Sequence, residues 1–179
     1  DFVNAYNNMG VALQEKGDLD AAIDSYKQAI KIKLNFAEAY NNMGNALQDK
    51  GDLEAAIDSY KKAVLIKPDF AVAYNSMGMA LKDKGDLEVA IDSYKQAVIA
   101  EPDFVNAYNN MGVALQEKGD LDAAINSYKQ ALKIRPNSSE AHNNMGVALQ
   151  NKGDLEAAIG SYQQAIKINP DLARAYNNI

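Results

Sequence analysis

The 179 residues contain no cysteine, which excludes disulfides and thiolate metal sites and leaves the redox compartment open. Tryptophan is absent too, and His142 is the single histidine. One imidazole with no second histidine or cysteine cannot share a transition metal, so neither metal nor cofactor is expected. Prolines number four, a scarcity that favours helix. No apolar run approaches the roughly 18 residues of a membrane-spanning helix. There is no basic block either, since 18 Lys and Arg stand against 24 Asp and Glu for a net charge of −6. Nucleic acid and anionic membrane are therefore not expected partners, because nothing is available to neutralise their phosphates.

Repetition takes the place of all these features. Gly10, Gly44, Gly78, Gly112 and Gly146 recur every 34 residues. Gly17, Gly51, Gly85, Gly119 and Gly153 keep the same period, as do Tyr26, Tyr60, Tyr94, Tyr128 and Tyr162. Three series in one register identify an array, which needs no single globular core. The complete units are 3–36, 37–70, 71–104, 105–138 and 139–172, with a partial one at 173–179, so 1–179 is expected to form one array. Because it stops part-way through a unit, the chain is expected to be a piece of a longer protein. Units 3–36 and 105–138 agree at 29 of 34 positions, which predicts one stacking geometry for both.

Within a unit the apolar pattern makes two helices. In the first, Tyr6, Met9, Gly10 and Leu13 share one face at a 3.6-residue period; in the second, Leu19, Ala22, Ile23, Tyr26, Ala29 and Ile30 do so. Gly17 supplies the turn between them and Asp18 is placed to cap the second helix. Gly10 and Ala22 let two backbones approach, and Tyr26 fills the space beside them. Pro68, Pro102, Pro136 and Pro170 close units, and Asp69, Asp103, Asn137 and Asp171 after them are expected to cap the next helix. Asn35 with Glu38, and Asn137 with Glu140, have capping-box spacing. Leu34 stands where the first unit should have proline, and that junction is still expected to form.

No such helix pair buries its apolar stripes alone. Stacking predicts an all-α fold: an α-solenoid of antiparallel helix pairs forming a right-handed superhelix with a concave groove. The pattern Tyr-x-x-Met-Gly-x-x-Leu, Gly-Asp-Leu, Ala-Ile-x-x-Tyr-x-x-Ala and Pro resembles the tetratricopeptide repeat along essentially the whole chain. The tandem Tyr-Asn-Asn-Met-Gly also resembles the superhelical repeat region of O-linked N-acetylglucosamine transferases and their bacterial relatives. In those proteins an asparagine ladder holds the backbone of extended polypeptides. That resemblance implies a ladder of Asn8, Asn42, Asn110, Asn144 and Asn178, interrupted by Ser76.

The helical wheel points to the same face independently. If stacking consumes the apolar stripe, Asn4, Asn7, Asn8, Val11, Gln14 and Glu15 are left for the inner surface. Asn7, Asn41, Asn75, Asn109, Asn143 and Asn177 recur there without exception. An amide both donates and accepts, which suits the backbone of an extended peptide; it equally suits bonds to neighbouring helices. Val72 and Met79 lie two turns apart on the same face as Ser76 and form its least polar part. Lys82 is the nearest cation, too little for a carboxylate clamp. The candidate peptide-binding residues are thus Asn7, Asn8, Asn41, Asn42, Val72, Asn75, Met79, Lys82, Asn109, Asn110, Asn143 and Asn144.

No catalytic constellation accompanies them. His142 replaces a first-helix tyrosine and is read as filling its space. Asp18, Asp52, Asp86, Asp120 and Asp154 recur as caps, whereas a catalytic pair should be a local exception. The expected function is a non-enzymatic interaction module that holds a polypeptide in its groove. The alternative is a substrate-recruiting arm of a glycosyltransferase or other enzyme whose catalytic domain lies outside this chain. End-to-end self-association through an open terminal helix, near Tyr176 and Ile179, is a further expectation.

Overall fold

A computed structural model describes residues 2–171. All regular structure among them is helical, in two compact units, Asp1–Ala100 and Glu101–Ile179. The first unit holds α1 (Phe2–Glu15), α2 (Leu19–Ile32), α3 (Ala37–Asp49), α4 (Leu53–Ile66), α5 (Ala71–Lys84) and α6 (Leu87–Ala100). The second holds α7 (Val105–Lys118), α8 (Leu121–Ile134), α9 (Ser139–Lys152) and α10 (Leu155–Ile168). Odd-numbered helices are the first of each repeat and even-numbered helices the second. Each second helix packs on its own partner, and α2, α4 and α8 also pack on the first helix that follows them. First helices touch one another as well, α1 on α3, α3 on α5, and α7 on α9. The fold is an all-α solenoid.

The close approach within a pair is set by glycine against tyrosine. Tyr26, Tyr60, Tyr94 and Tyr128 are wholly buried and Tyr162 is 1% exposed. A Cβ added at Gly10 would lie 2.5 Å from Cε1 of Tyr26, and Gly112 and Tyr128 repeat that distance. Only hydrogen fits there. Around each tyrosine the core is made of small residues, such as Ala22 and Ala46 with Ile23 at Tyr26. This lets successive helices interlock with little side chain between them.

The turn inside each repeat follows from one glycine and one aspartate. Gly17 has φ +86°, the left-handed region where a side chain is disfavoured. Its N–H donates to Gln14 O and that of Asp18 to Leu13 O, both at 2.9 Å, closing the last orphan carbonyls of α1. The Asp18 carboxylate then accepts from Ala21 N at 3.4 Å and opens α2. Asp52, Asp120 and Asp154 cap α4, α8 and α10 in the same way. One residue stops a helix with its backbone and starts the next with its side chain.

The turns between repeats correct the sequence reading. Asp69 and Asp103 do not cap α5 and α7; the N-cap residues are Phe70 and Phe104, with no side-chain hydrogen bond. Asn35 likewise gives way to Phe36 at α3, and Asn137 to Ser138, whose hydroxyl accepts from Ala141 N at 3.3 Å. Neither expected capping box forms. The reason is length. Pro68 and Asp69 occupy the turn itself, closed by Phe70 N donating to Lys67 O at 3.1 Å, so the chain enters the helix one residue later. That residue is used for packing. Phe36 is buried with Val3, Ala29, Ile30 and Ala39, and the Lys33 ammonium sits 5.0 Å from its ring centroid. Leu34 stands in a turn of the same form, so proline is dispensable there, as expected. The Asp171 cap and the Tyr176–Ile179 end fall at or beyond the limit of the described residues.

Candidate functional site

The faces left by this stacking are those of the first helices. In the first unit α1, α3 and α5 adjoin, and in the second α7 and α9, each group carrying candidate amides. The two series behave differently. Asn8 is exposed and Asn42, Asn110 and Asn144 are half-buried, whereas Asn41, Asn75, Asn109 and Asn143 are 5 to 8% exposed. Asn7, on the first helix, is half-buried.

The two series meet across repeats. Asn42 Nδ2 donates to Asn7 Oδ1 at 3.1 Å, and Asn144 Nδ2 to Asn109 Oδ1 at 3.3 Å. Asn109 Nδ2 in turn donates to Glu140 Oε1 at 3.2 Å. Asn109 is therefore held by the next repeat from both sides. Burial makes these bonds matter, because an amide cut off from water needs partners for its donor and its acceptor. Ser76 interrupts the pattern: Asn41 Oδ1 is buried without a hydrogen-bond partner. Asn75 Nδ2 lies 3.6 Å from Met79 Sδ.

A second relay runs beside the first, and sequence reasoning passed over most of it. The Tyr26 hydroxyl donates to Gln14 Oε1 at 3.1 Å, and Gln14 Nε2 donates to Asp49 Oδ2 at 2.7 Å. Tyr60 repeats it with Gln48 Oε1 at 3.0 Å, and Gln48 reaches Asp83 at 3.2 Å. Tyr128 and Tyr162 donate to Gln116 and Gln150. The 34-residue recurrence of these glutamines was the available signal, since nothing but a partnered tyrosine requires an amide there. Lys82 replaces the glutamine in the third repeat and pairs with Asp83 at 3.0 Å.

The face is acidic. Burial pushes the Tyr26 phenol up to about 12, with Asp49 and Glu15 adding to the shift. Tyr60 is raised by burial and by Asp49, while a hydrogen bond from Ser76 opposes the rise. Tyr128 is raised by burial, then by Glu117 and Glu140. Carboxylates thus lie close enough to disfavour a further negative charge.

Val11 is 37% exposed, Val72 44% and Met79 38%. Two open depressions lie elsewhere. One of ≈ 580 Å³ is lined by Pro136, Asn137, His142, Gln164, Lys167 and Ile168, and one of ≈ 360 Å³ is formed by α2, α3 and α4 beside Met43 and Lys62. His142 Nε2 lies 3.1 Å from Pro136 O, within hydrogen-bond distance. No group of metal-ligating side chains occurs among the described residues, and no helix there is long and apolar enough to cross a membrane.

No curated protein is matched by the sequence. Solved structures are. A crystal structure of MamA superposes with a TM-score of 0.83 at 28% identity, covering 97% of this chain and 94% of that one. A second MamA structure gives 0.83 at 29%, covering 92% and 96%. YrrB, described as a TPR protein with an unusual peptide-binding site, gives 0.78 at 25%, covering 96% and 89%. The TPR repeat family model matches residues 13–51, 78–119 and 114–153, and the tetratricopeptide repeat model matches 37–70 and 139–172. With glycine locked against tyrosine in every pair and these models covering most of its length, the chain belongs to the tetratricopeptide repeat family, whose fold is typically a scaffold for protein–protein contact.

Proposed function

We propose that this protein is a non-enzymatic interaction module that binds an extended polypeptide along the faces of its first helices. The observation that carries the reading is the amide surface repeated within each compact unit, on α1 and α3 in the first and on α7 and α9 in the second, each a set of donors and acceptors on stacked helices. An extended chain presents N–H and C=O groups at regular intervals, and rows of amides meet them without demanding a particular sequence. On the second helices the exposed positions mix charged pairs, such as Asp24 with Lys27 and Asp58 with Lys61, with apolar residues such as Leu65 and Ile99, and among the described residues no asparagine pairs span repeats there as they do on the first helices. The peptide-binding description of YrrB supports the same reading by similarity.

The acidic character of the face sets the preference in charge. Neutral or basic segments are favoured over acidic ones, with modest salt dependence, because the carboxylates are partly engaged by Gln14, Gln48 and Lys82. The test is a selection of binders from a random-peptide display library, followed by fluorescence anisotropy on the selected peptides. Asn8→Glu on the exposed face of a first helix should weaken them, and Lys61→Glu on a second helix should not. Equal loss in both variants, or loss only in the second, would refute the assignment of the face.

A further inference from the structure

Two neighbouring first helices are the same helix except on one face. In register, residues 37–50 and 71–84 differ only at Glu38/Val72, Asn42/Ser76, Asn45/Met79 and Gln48/Lys82. At 3.6 residues per turn these offsets fall within about a third of the helix circumference. The packing residues Tyr74, Met77, Gly78 and Leu81 are unchanged from α3. Whatever the four differences do, they do not alter the stacking.

They do alter the partners of Asn41. Its counterpart Asn109 donates to Glu140 and accepts from Asn144. By register, Asn41 meets Val72 and Ser76 instead. Valine offers no acceptor, and Ser76 makes no hydrogen bond to Asn41 Oδ1. Asn41 is 5% exposed and its Oδ1 has no partner, so neither the chain nor bulk water compensates that oxygen. Beside it stand the exposed Val72 and Met79, where α3 carries Glu38 and Asn45.

We propose that Asn41, Val72, Ser76 and Met79 form the specificity-determining subsite of the polypeptide groove. A large aliphatic side chain packs on Val72 and Met79, and an N–H of the bound backbone donates to Asn41 Oδ1. The inference rests on the groove reading above. An extended peptide fits because its residues carry unpaired backbone N–H donors together with side chains that can enter a pocket. Oδ1 is enclosed while the groove is empty, so engagement turns Asn41 outward and displaces Met79, whose unbranched side chain rearranges at little cost. Asp49 and Asp83 on the same helices favour neutral or basic flanking residues.

The test restores the α3 chemistry in Val72→Gln/Ser76→Asn, where the neutral glutamine avoids adding charge. Both partners of Asn41 are then rebuilt, so the melting temperature should rise. Peptides selected from a random display library on the parent should share a large aliphatic residue, and the variant should bind them about tenfold more weakly. Met79→Asn, which copies the residue at Asn45, should lose the aliphatic preference on its own and keeps the test open if the double variant fails to fold. Selection of the same aliphatic consensus with equal affinity by parent and variants overturns the subsite. So does an unchanged melting temperature in a folded double variant. If the parent selects no peptide at all, the groove reading fails and takes the subsite with it.

Discussion

Replacing Gly112 by alanine sets two known effects against each other. In a helix interior alanine is favoured over glycine by about 1 kcal/mol. The added Cβ, however, would lie 2.5 Å from Tyr128 Cε1 and 2.8 Å from Cδ1 and Cζ. Ordinary carbon contacts are roughly 3.5–4.0 Å, so the ring must move by about 1 Å. It has nowhere to go: Tyr128 is wholly buried and its hydroxyl donates to Gln116. Overpacking a full core costs about 1–3 kcal/mol, which cancels the helix gain and leaves a net loss of up to about 2 kcal/mol. Gly160 in α10 is the internal control, since no atom lies within 4 Å of an added Cβ there. Alanine at that position should stabilise by about 0.5–1 kcal/mol. Urea unfolding followed by far-UV circular dichroism should show the two midpoints moving in opposite directions at unchanged slope. Adding Tyr128→Leu should recover part of the Gly112→Ala loss. A Gly112→Ala variant more stable than the parent by the full helix gain of about 1 kcal/mol would refute the claim that this contact sets the helix approach.

Other expectations follow from the hydrogen bonds. Asp120→Ala removes the side-chain acceptor for Ala123 N and should cost about 1 kcal/mol, read by the same unfolding assay. Asn144→Ala leaves Asn109 Oδ1 without its donor, so it should cost about 1–3 kcal/mol, whereas Asn8→Ala, on the exposed first-helix position, should cost little. Alkali should destabilise the fold. Burial raises the Tyr26 phenol above its ordinary value near 10 to about 12, so the neutral form is favoured when folded. That stability is whole below the unfolded value and is lost as pH rises through the folded one. Helicity retained after every tyrosine has ionised, followed by tyrosinate absorbance, would contradict this.

How much could be read from the chain differs from residue to residue. The Gly–Tyr pairs, the Gly17 turn and the Asp18 cap were legible because each has a fixed offset and one physical use. The start of each first helix was misplaced. An aspartate or asparagine after proline has the chemistry of a cap, but the turn takes up that residue and leaves the cap position to Phe70 or Ser138. Local preference gave way to turn length and to the burial of phenylalanine. The asparagines show a different limit. Their recurrence marked them as special, but the sequence could not separate peptide contact from repeat contact. The structure shows Asn42 and Asn144 spanning repeats and Asn41 left unmatched, which depends on the distance between two helices and on what stands at position 76.

The most direct test of the groove assignment is amide hydrogen exchange with and without a library-selected peptide, resolved by helix. Binding in the groove predicts added protection in the first helices, greatest in α3 and α5, with the solvent-facing turns of α2, α4 and α6 unaffected. Protection centred on the second helices, or spread evenly over all of them, would contradict it.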